Sequence, residues 1–254
     1  MQIIAHRGAS RDAPENTLAA VQLAWQQGAD AVEVDVQISR DGRLVVIHDA
    51  NTARTGRVKR SVCDQTLTEL RALDAGRWKG SRWSGERIPT LEEVLNTVPE
   101  GKTLFVELKC GPDGLPAFLR TIEDAGRQSG QIVAIGFSRQ MMRLLKAKLP
   151  GLKVCWIRTF RRNWKTGRWL PASDELIAAA MEARFDGVDL DARGPVNATL
   201  VNRLQSAGLK VYVWTVDSPA KARRLLAAGV DGITTNRPGW LRKQIEAKRA
   251  RRTG

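Results

Sequence analysis

The sequence predicts an α/β protein of the TIM (β/α)8 barrel class with a small inserted subdomain. Three observations carry that expectation. Short apolar, β-branched runs alternate with longer segments of helical spacing, the pattern of a parallel sheet with crossover helices. One run is joined to its predecessor by too few residues for a crossover, and setting it aside leaves eight strand–helix units. A chain of 254 residues is an ordinary length for one such barrel.

The elements follow in order. The first run is 2–6 (QIIAH), and "ENTLAAVQLAWQQG" then opens on a capping-type Asn-Thr and stops at Gly28. The next runs, 31–36 (AVEVDV) and 44–48 (LVVIH), are separated only by "QISRDGR". A parallel crossover needs a dozen residues or more, whereas Asp-Gly between apolar runs signals a tight hairpin. With Asp41 and Gly42 as the two central turn residues, Arg40 pairs with Arg43 and Asp35 falls opposite His48. Segment 51–90 is polar, basic and irregular, with one short helix at "LTELRAL". It is too long for an ordinary barrel loop and is expected to be an insertion on the rim. Six further runs follow at 103–108 (TLFVEL), 132–137 (IVAIGF), 153–157 (KVCWI), 186–190 (DGVDL), 210–215 (KVYVWT) and 231–235 (DGITT). Helices are expected at "TLEEVLNTV" after Pro89, at "SRQMMRLLKAKLPG" before its Pro-Gly stop, and at "NATLVNRLQSAG" and "SPAKARRLLAAG", which both end on glycine. A single barrel domain is expected over 1–250, with 251–254 as a basic tail.

Charged residues on barrel strands point to chemistry. Glu33 and Asp35 are two apart in "AVEVDV" and share a face, opposite Val32, Val34 and Val36. Glu107 and Lys109 repeat the pattern in "TLFVELK". Buried carboxylates are costly unless paired or bound to a cation. Internal ion pairs such as Glu107 with Lys109 answer part of this, but three carboxylates on two strands favour a divalent metal, and an oxygen-rich set suits Mg²⁺ or Ca²⁺. The chain has only two histidines, and both end apolar runs: His6 in "IIAHRGAS" and His48 in "LVVIHDA". The hairpin register above brings His48 beside the carboxylates, and a slip of one residue would spoil it. A histidine pair divides the work of general base and general acid near neutral pH. Arg7 and Lys109 supply fixed positive charge for an anion; for Arg7 the plainer alternative is a salt bridge to Glu15. Metal, acid, base and cations together suit phosphoryl transfer. No GxxxxGK[ST], strand-following GxGxxG or GxSxG occurs, which argues against nucleotide-binding loops and a serine nucleophile elbow.

The net charge of +14 favours anionic partners without specifying them. Cys63, Cys110 and Cys155 are odd in number and far apart, so free thiols in a reducing compartment are expected. The N-terminus runs directly into a strand pattern, and no apolar run approaches the ~18 residues of a spanning helix. A soluble, cytoplasmic protein is expected. The segment 158–171, "RTFRRNWKTGRWLP", follows a strand and should lie on the active face. Its basic and aromatic residues suit contact with a headgroup, an anionic lipid surface or nucleic acid, or else form a solvated loop with locally packed aromatics.

At this point the sequence resembles the glycerophosphodiester phosphodiesterase family of the PLC-like phosphodiesterase superfamily. The motifs, spread over nearly the whole chain, are "AHRGAS" with "PENTLAA", "EVDVQISRDGRLVVIHD", "LDAGRW…GERIPTLEEVL", "ELK", "VWTVD" and "GVDGITTNRP". The resemblance implies a TIM barrel with an insertion matching 51–90. It also implies hydrolysis of glycerophosphodiesters to sn-glycerol 3-phosphate and an alcohol. By the same carry-over His6 and His48 form the acid/base pair, Glu33, Asp35 and Glu107 hold the metal, Arg7 and Lys109 contact phosphate, and Trp214 walls the substrate pocket. In the mechanism it implies, the glycerol 2-hydroxyl attacks phosphorus with histidine help and water opens the resulting cyclic phosphate. Two positions depart from the pattern: Asp217 stands where the family usually has Asn, and Asn236 where it often has Asp. Neither is expected to touch the core cluster. Hydrolysis of lysophospholipids by the same site, as in a lysophospholipase D, is the alternative reading. Nucleic-acid binding rests on charge alone and ranks below both.

Overall fold

A computed structural model describes residues 1–253, with side chains for all but 127–129 and 248–253. The expected basic tail, 251–254, therefore lies outside the residues whose side chains are described. The strands are β1 (Gln2–His6), β2 (Ala31–Ile38), β3 (Leu44–Val46), β4 (Thr103–Leu108), β5 (Ile132–Gly136), β6 (Lys153–Arg158), β7 (Arg161–Arg162), β8 (Trp169–Leu170), β9 (Gly187–Asp191), β10 (Lys210–Trp214) and β11 (Gly232–Thr235). The main sheet runs β1-β11-β10-β9-β6-β5-β4-β2-β3, and β1 pairs again with β2. Eight strands thus follow one another in a cycle, with β3 attached to β2, which is the strand order of a (β/α)8 barrel. No helix of the described residues is long and apolar enough to cross a membrane.

The chain divides into two compact units. One holds Ala5–Val133 and Asn236–Pro238. Here β2 and β4 run parallel with Asp35 beside Glu107, while β3 returns antiparallel to β2. Helices α1 (Leu18–Gln26), α2 (Ala53–Gly56), α3 (Leu67–Arg71), α4 (Leu91–Leu95) and α5 (Leu115–Asp124) belong to this unit. Segment 51–90 has apolar contacts of its own: Val62, Leu70, Ala75 and Ile88 bury themselves against Val45 and Ile47 of the β3 arm. Asp74 closes its irregular part, accepting from the backbone N–H of Gly76, Arg77 and Gly85 and from Ser84 Oγ.

The hairpin register differs from the expected one. Val36 pairs with Val46 and Ile38 with Leu44, so Ile47, whose N–H donates to Asp35 O at 3.0 Å, stands where His48 was expected. The cause is a three-residue turn over Arg40, Asp41 and Gly42, closed by Ser39 N–H to Arg43 O at 2.9 Å. Ser39 Oγ holds Asp41 Oδ1 at 2.6 Å, and Gly42 takes φ +73°. That geometry needs a left-handed residue at its third position, which glycine supplies.

The other unit holds Met1–Ile4, Ala134–Thr235 and Gly239–Gly254. Its strands β6, β9, β10 and β11 pair in parallel. Its helices are α6 (Arg139–Lys148), α7 (Ser173–Glu182), α8 (Ala198–Ser206), α9 (Pro219–Ala227) and α10 (Pro238–Thr253). Segment 158–171 carries a small antiparallel hairpin of β7 and β8.

Candidate active site

The site is built from the end of β1. His6 is its last residue, and Arg7 follows at φ +56° and Gly8 at φ +79°. Arg7 tolerates that backbone because its N–H donates to Glu33 Oε2 at 2.9 Å and its carbonyl accepts from Asn16 N–H at 3.0 Å. Gly8 has no substitute, since a Cβ there would stand 2.5 Å from the Ala20 carbonyl carbon.

Strand alternation and the β2–β4 register bring Glu33, Asp35 and Glu107 together. All three are buried, and one carboxylate oxygen of each lies within 4.8 Å of the others. Both plainer pairings also exist here. Lys109 Nζ lies 2.7 Å from Glu107 Oε1 and 3.4 Å from Asp35 Oδ1. Arg7 bridges Glu15 Oε1 at 2.7 Å and Asp35 Oδ2 at 3.0 Å.

The charges do not balance evenly. Burial, then the neighbouring Asp35 and Glu107, push the Glu33 carboxyl well above its usual range. Burial and Asp35 raise Glu107 to about 7. Asp35 is also penalised by burial, but Arg7, Lys109 and His48 outweigh it and hold its carboxyl low. Glu33 Oε1 is buried without a hydrogen-bond partner. A cluster of hard oxygen donors, two of them disfavoured as anions and one with an unanswered lone pair, fits a divalent cation such as Mg²⁺ or Ca²⁺.

The two histidines are each held through Nδ1. His6 Nδ1 lies 2.8 Å from Asn236 Oδ1, which also accepts from Ser10 Oγ at 2.9 Å. An amide oxygen only accepts, so His6 carries its proton on Nδ1 and presents Nε2 as an acceptor. Burial and then Arg7 lower its pKa. His48 Nδ1 lies 2.7 Å from Asp49 Oδ1. Both rings interact electrostatically with Asp35. His48 comes near the cluster from just beyond β3, one residue past the position that the two-residue turn had implied.

Three supporting residues emerge from the structure rather than the sequence. Asn236 touches His6 directly, which corrects the expectation that it stands clear of the cluster. Asn16 clasps Asp35 by two bonds, Nδ2 to Oδ2 at 2.9 Å and Asp35 N–H to Oδ1 at 3.2 Å. Thr17 alone caps α1, accepting from Ala20 N–H, which releases Asn16 for this task. Arg54, on α2 of the inserted segment, donates through Nε to Asp49 Oδ2 at 2.7 Å and through both Nη atoms to Glu15 at 2.9 Å. An unbroken series Arg7–Glu15–Arg54–Asp49–His48 results. Arg54 foremost, with His48 assisting, holds the Asp49 pKa down to about 2 against burial.

Trp214 belongs to the other unit. It ends β10, meets Phe137 edge-on at 5.8 Å and donates from Nε1 to Asp189 O at 3.3 Å. Asp217 accepts from Thr235 Oγ1 at 2.8 Å.

The chain is similar to known proteins in sequence and in fold. Residues 6–240 match the model of the glycerophosphoryl diester phosphodiesterase family. A glycerophosphodiester phosphodiesterase of Caldanaerobacter subterraneus subsp. tengcongensis is 35% identical over 245 residues, 94% of this chain and 95% of that protein. One from Bacillus subtilis is 31% identical over 257 residues, 94% and 85% of the two chains. Among solved structures, an Oleispira antarctica phosphodiesterase in complex with its product sn-glycerol-3-phosphate superposes with a TM-score of 0.84 at 28% identity, covering 97% of each chain.

Proposed function

The chain belongs to the glycerophosphoryl diester phosphodiesterase family, and from that premise we propose that it hydrolyses small glycerophosphodiesters to sn-glycerol 3-phosphate and an alcohol. It is a phosphoric diester hydrolase. His6 and His48 move the protons, and Glu33, Asp35 and Glu107 hold one divalent ion, Mg²⁺ or Ca²⁺. Such an ion, when bound, offsets the negative charge that builds on the phosphoryl oxygens. The product held by the Oleispira phosphodiesterase supports the substrate class.

The chain's own residues set up the rest. Asn236 fixes the His6 tautomer so that Nε2 accepts the proton of the attacking glycerol hydroxyl. Asp49 orients His48 so that its Nε2 donates to the departing alkoxide. The histidines exchange these tasks when water opens the cyclic phosphate. Arg7 and Lys109 contribute positive charge for the phosphate while steadying Asp35, and Trp214 is taken as a pocket wall on the family resemblance. The observation that carries this reading is a buried carboxylate triad under the influence of two histidines, each with Nδ1 already engaged. Three free cysteines suit a cytoplasmic setting.

A coupled glycerol 3-phosphate assay on glycerophosphocholine and glycerophosphoethanolamine tests the proposal. Turnover should vanish with EDTA and return with Mg²⁺ or Ca²⁺; EDTA-insensitive turnover refutes the metal reading. One observation favours a second substrate class. Trp164 on the β7–β8 hairpin is 86% exposed, which suits a lysophospholipid carrying an acyl chain. Faster turnover of a lysophospholipid than of its deacylated counterpart would select that reading.

A further inference from the structure

The β7–β8 hairpin takes no part in the proton transfers, yet its turn is firmly built. Asn163 N–H donates to Arg168 O and Gly167 N–H to Asn163 O, both at 2.8 Å. Asn163 Oδ1 accepts from the N–H groups of Lys165 and Thr166 at 2.9 and 3.0 Å. Gly167 turns the chain at φ +68°, and Arg162 Nε reaches its carbonyl at 3.1 Å. This frame holds Trp164 out at the tip with 86% of its surface exposed, against 48% for the next most exposed large hydrophobic among the described residues. Arg161, Arg162, Lys165 and Arg168 belong to the same hairpin and are all exposed, and Lys165 Nζ lies 5.2 Å from the centroid of the Trp164 ring. Segment 158–171 contains no acidic residue, and among the described residues none of these four cations has an acidic partner. The aromatics are thus not all packed locally, as a merely solvated loop would have them.

We propose that this hairpin is a docking finger for an anionic lipid surface, with Trp164 entering the headgroup layer and the four cations meeting lipid phosphates. An indole is suited to that layer because its ring is apolar and its N–H is polar. Basic residues beside it gain from the negative surface potential of such a membrane. Single-stranded nucleic acid fits less well, since it stacks successive bases on several aromatics along a groove, and here one ring stands at a tip. The inference concerns delivery to a surface and goes beyond the hydrolysis itself, so either can fail without the other.

Co-sedimentation of the full chain tests it, using phosphatidylcholine vesicles with and without about a third phosphatidylglycerol, at about 0.1 and about 0.5 M NaCl. Binding is expected to the anionic vesicles only and to weaken at the higher salt. Trp164→Ala should weaken it roughly tenfold through lost apolar burial. Lys165→Gln with Arg168→Gln should weaken it roughly twenty-five-fold, at about fivefold per charge. Tm and turnover of soluble glycerophosphocholine should stay at wild-type values in these variants. Trp164→Ala binding as tightly as wild type overturns the proposal. So does a short oligouridylate that competes the protein off the vesicles while depending on Trp164, which would mark a nucleic-acid surface. Vesicle binding without phosphodiesterase activity would leave the finger standing and remove the catalytic reading instead.

Discussion

His6 and His48 are the same side chain in unlike company. His6 is set among protein atoms with Nδ1 against the neutral amide of Asn236 and Arg7 alongside. His48 has 32% of its side chain exposed and Nδ1 against the carboxylate of Asp49, itself gripped by Arg54. An amide oxygen is a neutral partner for a ring N–H, whereas a carboxylate brings a full negative charge to it. The two rings, proposed as the proton carriers, therefore differ in the partner that each meets and not in themselves. Each ring and its neighbour can be altered separately.

Removing a ring has the largest expected effect. His6→Ala and His48→Ala should each lower kcat by roughly a hundred- to ten-thousandfold with Tm little changed; wild-type rates in both would end the acid/base assignment. Asp49→Asn comes next, because it removes the negative charge facing the His48 ring and the ion pair that Arg54 makes with it. A fall in kcat of roughly 10- to 100-fold is expected, with KM nearly constant in steady-state kinetics. If Asp49→Asn matched wild type, the two settings would be equivalent in practice. Arg54→Ala acts through Asp49 and Glu15, and its half-exposed ion pairs limit the loss to about fivefold in kcat.

The mildest change at the optimum is Asn236→Asp, and it is the sharpest probe. Burial and Arg7 place the His6 pKa below the ordinary imidazole value of 6.5, so the base form persists to lower pH. A carboxylate at 236 would favour imidazolium and raise that pKa. The acid limb of the kcat/KM profile should then move to higher pH by about one unit. A limb that stays put or moves down would show that Asn236 does not govern His6.

The carboxylate triad was legible because strands alternate. Glu33, Asp35 and Glu107 sat at charged positions within runs otherwise made of Val, Leu and Phe, and the parallel β2–β4 register did the rest. The count of eight was legible from the short link at "QISRDGR". The turn inside that link was not, because Ser39 binding Asp41 selects a three-residue loop that Asp-Gly alone does not specify. Asn236 was out of reach for another reason: its partner is 230 residues away, and no local pattern reports such a contact. Its one visible signal was the departure at "TTNRP". Asn16 was masked by a plausible local role, since Asn-Thr before an apolar run reads as a cap. Segment 158–171 showed its charge in the sequence, while the exposure of Trp164 depended on a turn that only coordinates reveal.

Arg54 gives the inserted segment a meaning beyond its own packing. The segment looks like a cassette, with its apolar residues packed on the β3 arm and its last residue, Thr90, bridged to Val45. Yet its first helix supplies the guanidinium that holds Asp49 and Glu15 together. Exchanging residues 51–90 between relatives is therefore no neutral transplant. A donor segment lacking a cation at position 54 would fit the scaffold and still detune His48, so modularity in this fold stops one side chain short of complete.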